Sequence, residues 1–235
     1  MHLRRPGIRR RLRALWQSFR DVRYRLATHR LAADHPPAYR AYLQIQLRRS
    51  LSKRTNDPGV GARVLIDELA RRCSATGSAV LCVGCRNGVE LDEFRKRGFE
   101  DVVGIDLFSQ REDIRVMDMH DMTFSDDSFD VVYSSHALEH AYDAGTVVRE
   151  IVRVARNAAL VAVEVPVRHR GSDADRIEFS GIDELRNAFS PHIREELLAE
   201  EHPPNSPVNA QGSDIARLIF RLAKDAESAA RAVAV

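Results

Sequence analysis

Short apolar segments alternate with stretches of helical spacing between residues 79 and 165, and no other pattern in the 235-residue chain limits its fold so strongly. Continuous apolar runs bounded by turn residues indicate buried strands. Strands that alternate with helices are typical of a parallel sheet covered on both faces. We therefore predict a doubly wound α/β sheet with helices near 90–97 and 143–155 and strands at 79–83, 102–105, 114–116, 129–133 and 159–165.

The C-terminal part is harder to assign. Residues 193–201 and 216–223 alternate in the manner of strands, although 216–223 would also suit a helix, so both structures remain open for that segment. Residues 202–213 are rich in Pro, Asn and Ser and are predicted to form a loop. The Ala-rich stretch 225–235 is predicted to be a flexible tail.

The first 76 residues are predicted to form a basic helical extension, followed by the α/β domain at 77–224. Apolar residues recur every three or four positions between Leu12 and Leu26, which indicates an amphipathic helix. Further helices are predicted over 39–51 and 58–72.

Positive charge is concentrated in this extension. Residues 1–54 hold 15 Arg or Lys against two acids, whereas the rest of the chain holds 21 against 32, within a net charge of +2. The helix at 12–26 would therefore either pack on the acidic domain, which we favour, or make peripheral contact with an anionic membrane surface. No run approaches the roughly 20 apolar residues of a membrane span, so an integral membrane protein is excluded.

The number of cysteines helps to predict the cellular compartment of the protein. Three cysteines form an odd and sparse set, unlike the disulfide framework of a secreted domain. A cytoplasmic location is therefore expected, with a membrane-peripheral one as the alternative.

A glycine-bearing turn follows the first predicted strand. Small residues at a strand-to-helix turn let a ligand approach the backbone, as expected at 83–88. Asp106 comes just after the second strand, where a carboxylate can accept hydrogen bonds from both hydroxyls of a ribose. Together they indicate a nucleoside-containing cofactor. A dinucleotide is disfavoured, because Arg86 occupies the second glycine position of the G-x-G-x-x-G pattern.

Several segments share the order and spacing of one known family. They are VLCVGCRNG at 80–88, VGID at 103–106, VMDM at 116–119 and FSDDSFDVV at 124–132, with weaker matches at 134–140 and 149–154. With these motifs, the stretch from 80 to about 189 resembles a class I S-adenosylmethionine-dependent methyltransferase of the small-molecule type. The resemblance implies a Rossmann-like sheet of seven strands and S-adenosylmethionine as the cofactor.

The resemblance also implies roles for individual residues. Gly84 and Gly88 would admit the amino-acid end of the cofactor, and Asp106 would hold the ribose. Asp118 and Met119 would hold the adenine. The complete set of implied cofactor-binding residues is Gly84, Cys85, Gly88, Asp106, Leu107, Asp118, Met119 and Ser134.

Two residues depart from the family pattern near the methionine end of the cofactor. Cys82 stands where the family commonly has an acid, and Arg86 replaces a glycine. Arg86 would pair either with the carboxylate of the cofactor or with Glu90 one turn away. Cys82 and Cys85 form a C-x-x-C, but a zinc ribbon needs a second pair, so we interpret them as two small residues at a tight turn.

His136, Glu139 and His140 follow the fourth strand and are predicted to face the acceptor. One of them would be a catalytic base if the acceptor is an unactivated hydroxyl; otherwise they would only shape the pocket. Their H-x-x-E-H pattern also matches inverted zinc peptidases, which need it on a helix with a further ligand downstream. We predict no metal.

The predicted function is methyl transfer from S-adenosylmethionine to a small-molecule or saccharide acceptor. Two alternatives remain: a non-catalytic cofactor-binding or scaffold protein of the same fold, and a membrane-peripheral methyltransferase acting on a lipid-linked acceptor. Nucleic acid is not an expected partner, since the main domain is acidic and no N-P-P-Y motif follows the fourth strand. The sequence does not specify the acceptor atom or the oligomeric state.

Overall fold

The computed structural model describes residues 35–52, 59–109, 111–169 and 171–224. Two helices come first, α1 (Pro37–Ser52) and α2 (Gly59–Arg72), which confirms the second and third helices expected from the sequence. The amphipathic helix predicted at 12–26 lies outside the described residues. Within the described ranges, no helix is both long enough and apolar enough to cross a membrane.

A seven-stranded sheet forms the centre of the described chain. The first five strands are parallel, and the last strand is antiparallel to both of its neighbours. This confirms the predicted α/β, Rossmann-like architecture. The strands are β1 (Ala79–Val83), β2 (Asp101–Asp106), β3 (Ile114–Val116), β4 (Phe129–Ser135), β5 (Ala155–Pro166), β6 (Ile193–His202) and β7 (Ile215–Leu222), in the spatial order β3-β2-β1-β4-β5-β7-β6.

Three further helices connect the strands: α3 (Val89–Lys96), α4 (Ala144–Val154) and α5 (Ile182–Phe189). Helix α4 begins after Asp143, whose Oδ1 accepts a hydrogen bond from the N–H of Thr146 at 2.7 Å and so satisfies one of the free amides of the first turn. Helix α3 begins directly after Gly88, which has a φ of +67°.

Both faces of the sheet are buried. Helices α4 and α5 pack on the face that contains Leu81 and Val132, whereas α2 and α3 pack on the face that contains Val80 and Val131. Successive residues of a strand point to opposite faces, so a strand covered on both sides needs a continuous apolar run. This is why the sequence pattern located the central strands.

The ambiguous segment at 216–223 is a strand, because β7 inserts between β5 and β6. Leu218 and Phe220 enter the core beneath α4 and α5, and Ile219 enters the opposite core. Pairing on both edges outweighs the local preference of the segment. Helix α5 has no counterpart among the predicted helices.

Candidate functional site

The glycine turn after β1 is tied to the end of β2. The N–H groups of Gly84 and Cys85 donate to the carbonyl of Ile105 at 2.9 and 3.3 Å. The N–H of Arg86 donates to Oδ2 of Asp106 at 3.0 Å. The turn and the Asp106 carboxylate therefore border the same cleft, at the carboxyl ends of two adjacent parallel strands.

Gly84 suits this turn for two reasons. Its φ of +76° lies in the left-handed region that favours glycine. In addition, a Cβ at this position would lie 2.4 Å from the Cβ of Ala137, far inside van der Waals contact. The loop after β1 and the loop after β4 can thus meet at the floor of the cleft only because residue 84 has no side chain.

Asp106 lines the cleft with a carboxylate that is held by the backbone. Its Oδ1 accepts from the N–H of Phe108 at 2.9 Å, while Oδ2 accepts from Arg86. Burial raises the pKa of Asp106 to about 6, and the backbone hydrogen bonds limit the rise. The carboxylate is therefore ionised and fixed in orientation at neutral pH.

A small apolar recess of about 80 Å³ lies beside Asp106. Met117 and Met119 contribute flexible side chains that adapt to the shape of a ligand. An apolar recess next to a carboxylate suits a planar base attached to a ribose. The other apolar residues of its lining are Tyr42, Ile105, Leu107 and Ala137.

Asp118 is buried near this recess and already has partners on both oxygens. Its Oδ1 accepts from the N–H of His120 at 2.9 Å and lies 2.7 Å from Nδ1 of the same residue. Its Oδ2 accepts from the hydroxyl of Tyr39 on α1 at 2.7 Å. Burial would raise the pKa of Asp118, but the hydrogen bonds from His120 and Tyr39 hold it below its usual value. Asp118 thus joins α1 to the end of β3 as an ionised carboxylate.

Helix α1 forms one wall of the cleft. Nε2 of the buried Gln46 donates to the carbonyls of Ala174 and His140 at 2.7 and 3.2 Å. Arg49 forms an ion pair with Asp175. These contacts fix α1 against the loops that follow β4 and β5, with Tyr42, Gln46 and Ser50 facing the cleft.

Beyond the glycine turn the cleft widens into a polar chamber of about 590 Å³, a size typical of sites for small molecules. Two carboxylate oxygens of its lining residues, Glu90 Oε2 and Glu139 Oε2, are buried and have no hydrogen-bond partner among the described residues. Buried polar atoms in native proteins nearly always have partners. The two oxygens therefore indicate that the chamber takes a ligand with hydrogen-bond donors.

His136 lies between two buried carboxylates in the chamber. Its Nε2 is 3.2 Å from Glu164 Oε1, and its Nδ1 is 3.7 Å from Glu139 Oε1. Burial would lower the pKa of His136, but Glu139 and Glu164 outweigh this effect and raise the pKa to about 10. The imidazole is therefore protonated at neutral pH, which argues against the role of a catalytic base considered above.

A buried ion pair lies behind His136. Glu164 Oε2 accepts from Nε of Arg217 at 2.5 Å, and Nη2 of Arg217 donates to the carbonyl of Val208 at 2.5 Å. Burial would raise the pKa of Glu164, but His136 and Arg217 lower it to about 2. Glu164 is thus always ionised near neutral pH and stabilises the protonated form of His136.

Glu139 and His140 stand on a 3-10 turn, Leu138–His140, at the edge of the chamber. Nε2 of His140 is 3.6 Å from Glu139 Oε1, and its Nδ1 is 2.9 Å from Asp175 Oδ1. Burial would raise the pKa of Glu139, but the charges of His140 and His136 bring it below the usual value. Glu139 therefore presents an ionised oxygen to the chamber.

The geometry gives no support to a metal or thiol site. Within the described residues there is no group of three or more His, Cys, Asp or Glu arranged to hold a metal ion. Cys82 and Cys85 are buried, and burial raises the pKa of both thiols. Neither sulfur is available as a thiolate at neutral pH.

Comparison with known proteins agrees with this geometry. Residues 81–163 match the model of a methyltransferase domain family. Among solved structures, the 1,6-didemethyltoxoflavin-N1-methyltransferase of Burkholderia thailandensis, with bound 1,6-didemethyltoxoflavin and S-adenosylhomocysteine, is similar at a TM-score of 0.61 and 17% identity, over 80% of this chain and 91% of that chain. Residues 81–163 therefore carry a methyltransferase domain.

Other solved structures share the fold of this methyltransferase domain at low identity. A putative sarcosine dimethylglycine methyltransferase from Galdieria sulphuraria is 13% identical with a TM-score of 0.55, over 70% of this chain and 85% of that chain. The [4+2]-cyclase SpnF is 19% identical with a TM-score of 0.55, over 68% of this chain and 80% of that chain. No curated protein matches the sequence.

The methyltransferase domain brings most of the sequence-predicted residues to one cleft. Gly88 is instead buried beside Arg111, whose Nε would lie 2.7 Å from a Cβ at position 88. Asp118 is engaged by His120 and Tyr39, and Ser134 is buried within β4. The predicted residues that line the cleft are Gly84, Cys85, Asp106, Leu107, Met119, His136, Glu139 and His140.

Two parts of the lining carry no family motif. Tyr42, Gln46 and Ser50 are spaced by four residues, so they share one face of α1, and this spacing was the only signal for them in the sequence. The second part comes from loops after β5 and before β7, including Ser172, Asp175 and 211–213, for which the sequence holds no comparable signal.

Proposed function

We propose that this protein transfers the methyl group of S-adenosylmethionine to a polar small molecule, with a saccharide unit as one such acceptor. The observation that carries the proposal is the continuity of the cleft, in which an apolar recess beside Asp106 opens past Gly84 into a polar chamber. The recess suits the base of a nucleoside, and the chamber has room for an acceptor. S-adenosylmethionine, when bound, supplies a methyl group on a positively charged sulfur.

The residues of the recess would hold the nucleoside part. Asp106 would accept hydrogen bonds from the ribose hydroxyls, and Met117 and Met119 would pack against the base. Gly84 would leave space for the chain that carries the sulfur. A carboxylate has about four acceptor sites, so Asp118 would accept from the amino group of the base in addition to its hydrogen bonds with His120 and Tyr39.

The chamber residues would position the acceptor in line with the methyl group and exclude water, which is the main requirement of this reaction. Oε2 of Glu139 would accept the N–H or O–H of the acceptor and take its proton as the new bond forms. A carboxylate with a lowered pKa is a weak base, which suits an acceptor that becomes acidic during methylation. His136 would hold Glu139 in place, and His140 would fix its other side.

The lining of the chamber favours a polar acceptor. Side chains that can exchange hydrogen bonds with hydroxyl or charged groups surround the space on the side away from the glycine turn: Arg49, Ser135, His169, Ser172, Gln211 and Ser213. A polar acceptor would exchange hydrogen bonds with these side chains, whereas an apolar acceptor could not.

Calorimetric titration with S-adenosylhomocysteine tests the cofactor site. We expect micromolar binding by the wild-type protein and a loss of at least about 100-fold in D106A, since each hydrogen bond to a charged group contributes about 1.5–3 kcal/mol. D101A is the matched control, because Asp101 is exposed at the opposite end of the same strand.

Two results would contradict the proposal. Wild-type protein that does not bind S-adenosylhomocysteine would make the non-catalytic scaffold the better interpretation. Equal losses in D106A and D101A would show that the effect of the substitution is not specific to the cleft.

A further inference from the structure

The surroundings of Glu139 bear on the atom that accepts the methyl group. The main chain of this residue is fixed, because its carbonyl accepts hydrogen bonds from the N–H groups of Arg176 and Ile177 at 2.9 and 3.0 Å. Its side chain lines the chamber but is almost completely buried, with 3% of its surface exposed. The carboxylate is therefore held in one place after β4 and does not turn out into solvent.

The two oxygens of this carboxylate have different surroundings. Both neighbouring imidazoles lie near Oε1, with Nδ1 of His136 at 3.7 Å and Nε2 of His140 at 3.6 Å. Oε2 is buried and has no hydrogen-bond partner among the described residues. A buried carboxylate oxygen without a donor is costly, so Oε2 calls for a donor group from a ligand.

The two imidazoles beside Glu139 are placed as donors and not as bases. The other ring nitrogen of His136, Nε2, is 3.2 Å from Glu164 Oε1. The other ring nitrogen of His140, Nδ1, is 2.9 Å from Asp175 Oδ1. An ionised carboxylate only accepts hydrogen bonds, so it favours a proton on each nitrogen that faces it. Burial would raise the pKa of Glu139, but the charges of His140 and His136 lower it, so the carboxylate is a weak base as well.

This arrangement separates two classes of acceptor. An unactivated hydroxyl must lose a strongly held proton as the methyl group arrives, which requires a base. A neutral amine requires no base, because its lone pair forms the N–C bond while the C–S bond breaks and leaves its electron pair on sulfur. Sulfur becomes a neutral thioether, and the positive charge passes to the nitrogen, which keeps its protons. An ionised carboxylate beside that nitrogen stabilises the charge where it develops.

We propose that the acceptor is an amine whose nitrogen donates a hydrogen bond to Oε2 of Glu139, so that the protein is an N-methyltransferase. This inference rests on the proposed function and names the class of its acceptor. The amine enters as the free base, since a protonated nitrogen has no lone pair to attack the methyl group. The product leaves as a methylated ammonium ion and releases its proton to water. An amino sugar is the kind of saccharide that meets these requirements.

Sinefungin tests the inference without knowledge of the acceptor. It differs from S-adenosylhomocysteine in having an amine-bearing carbon in place of sulfur, so an ammonium group stands where the methyl group is transferred. We expect the wild type to bind sinefungin more tightly than S-adenosylhomocysteine by about tenfold or more in calorimetric titration. E139Q should abolish this preference and leave the affinity for S-adenosylhomocysteine unchanged. E178Q is the matched control, because Glu178 is exposed in the loop after β5 and lies outside the chamber lining.

A methylation assay tests the class of acceptor directly. S-adenosylmethionine with a tritiated methyl group is offered together with pairs of molecules that differ in one group: glucosamine and glucose, ethanolamine and ethylene glycol, glycinamide and glycolamide. We expect label only in the amine of a pair, with a rate about 100-fold lower in E139Q, since a group that stabilises the developing charge is removed. E178Q should methylate the same amine at the wild-type rate.

The outcomes are distinguishable. If the wild type binds S-adenosylhomocysteine but does not prefer sinefungin, or if E139Q keeps the preference, the inference fails and the proposed function stands. Label in the hydroxyl of a pair would also overturn the inference, and if no pair reacts the sinefungin comparison decides. If E139Q weakens both ligands equally, Glu139 supports the whole cleft and the role given to it here is wrong. If the wild type binds neither ligand, the proposed function itself fails.

Discussion

At the scale of single residues, the site depends on residue 84 being a glycine, which has no side chain. Gly84 allows the loops after β1 and β4 to touch, because its backbone has a positive φ and a Cβ would collide with Ala137. Gly77 has nearly the same φ, +79°, but a Cβ built at this position would have no other atom within 4 Å. The two positions therefore separate the cost of the backbone conformation from the cost of the contact.

We expect G77A to reduce the free energy of unfolding by about 1 kcal/mol, the cost of a left-handed conformation for alanine. G84A should reduce it by about 3 kcal/mol or more, because overpacking adds to that cost. Urea denaturation of both variants measures the difference. Equal losses would mean that the loop after β4 moves aside without cost, so that Gly84 does not set the floor of the cleft.

Single residues also show which contacts could be predicted from the sequence and which could not. The position of Asp106 after a buried strand was enough to place its carboxylate in the cleft. Asp118 has an equally clear position, yet its partner Tyr39 is 79 residues away in the chain. No local pattern encodes a contact of that sequence separation. The protonation of His136 was equally hidden, since it depends on Glu164 in another strand.

At the scale of elements, α1 connects the N-terminal region to the cofactor cleft. It contributes Tyr42, Gln46 and Ser50 to the lining, and Gln46 is held by two carbonyls of other loops. A ligand in the recess would therefore stabilise α1 through direct contacts. Helix α4 packs on the sheet away from the cleft lining and provides an internal reference.

We expect S-adenosylhomocysteine to slow amide hydrogen exchange in α1 by about tenfold or more, as binding raises the free energy of local opening. Exchange in α4 should change less. D106A, treated in the same way, should show no protection of α1. If α1 exchanges at the same rate with and without ligand in the wild type, the helix is not a wall of the occupied site.

The elements also differ in how well the sequence alone predicted them. The central strands β1, β4 and β5 were located from sequence because burial on both faces demands apolar runs. The strand at 216–223 was ambiguous because its neighbours β5 and β6, and not its own residues, decide between strand and helix. Sequence order could not reveal that the last strand lies inside the sheet.

At the scale of the whole molecule, the charge of the chain is divided between its two parts. The first 54 residues carry a large positive excess, and the remainder is negative. The helix predicted at 12–26 lies outside the described residues, so its partner is a matter for experiment. Attraction between the two parts favours packing of its apolar stripe on the domain.

If the stripe packs on the domain, we expect the double substitution W16S and F19S to lower the free energy of unfolding by about 2 kcal/mol or more, since that contact would lose two aromatic side chains. Q17S is the control, because Gln17 lies outside the apolar stripe. Urea denaturation gives the comparison. Unchanged stability, together with salt-sensitive binding of the wild type to anionic vesicles that the double variant lacks, would instead support the membrane-peripheral alternative.

The interior position of β7 has a consequence for the way the protein is made. Ribosomes release the chain from its N-terminus, so β5 and β6 exist before the strand that must separate them. Until Ile215–Leu222 emerges, Glu164 has no Arg217 beside it, and the support beneath His136 is incomplete. The polar chamber is therefore assembled in one of the last steps of synthesis, and a chain terminated before Ile215 would contain every cofactor motif without a finished site.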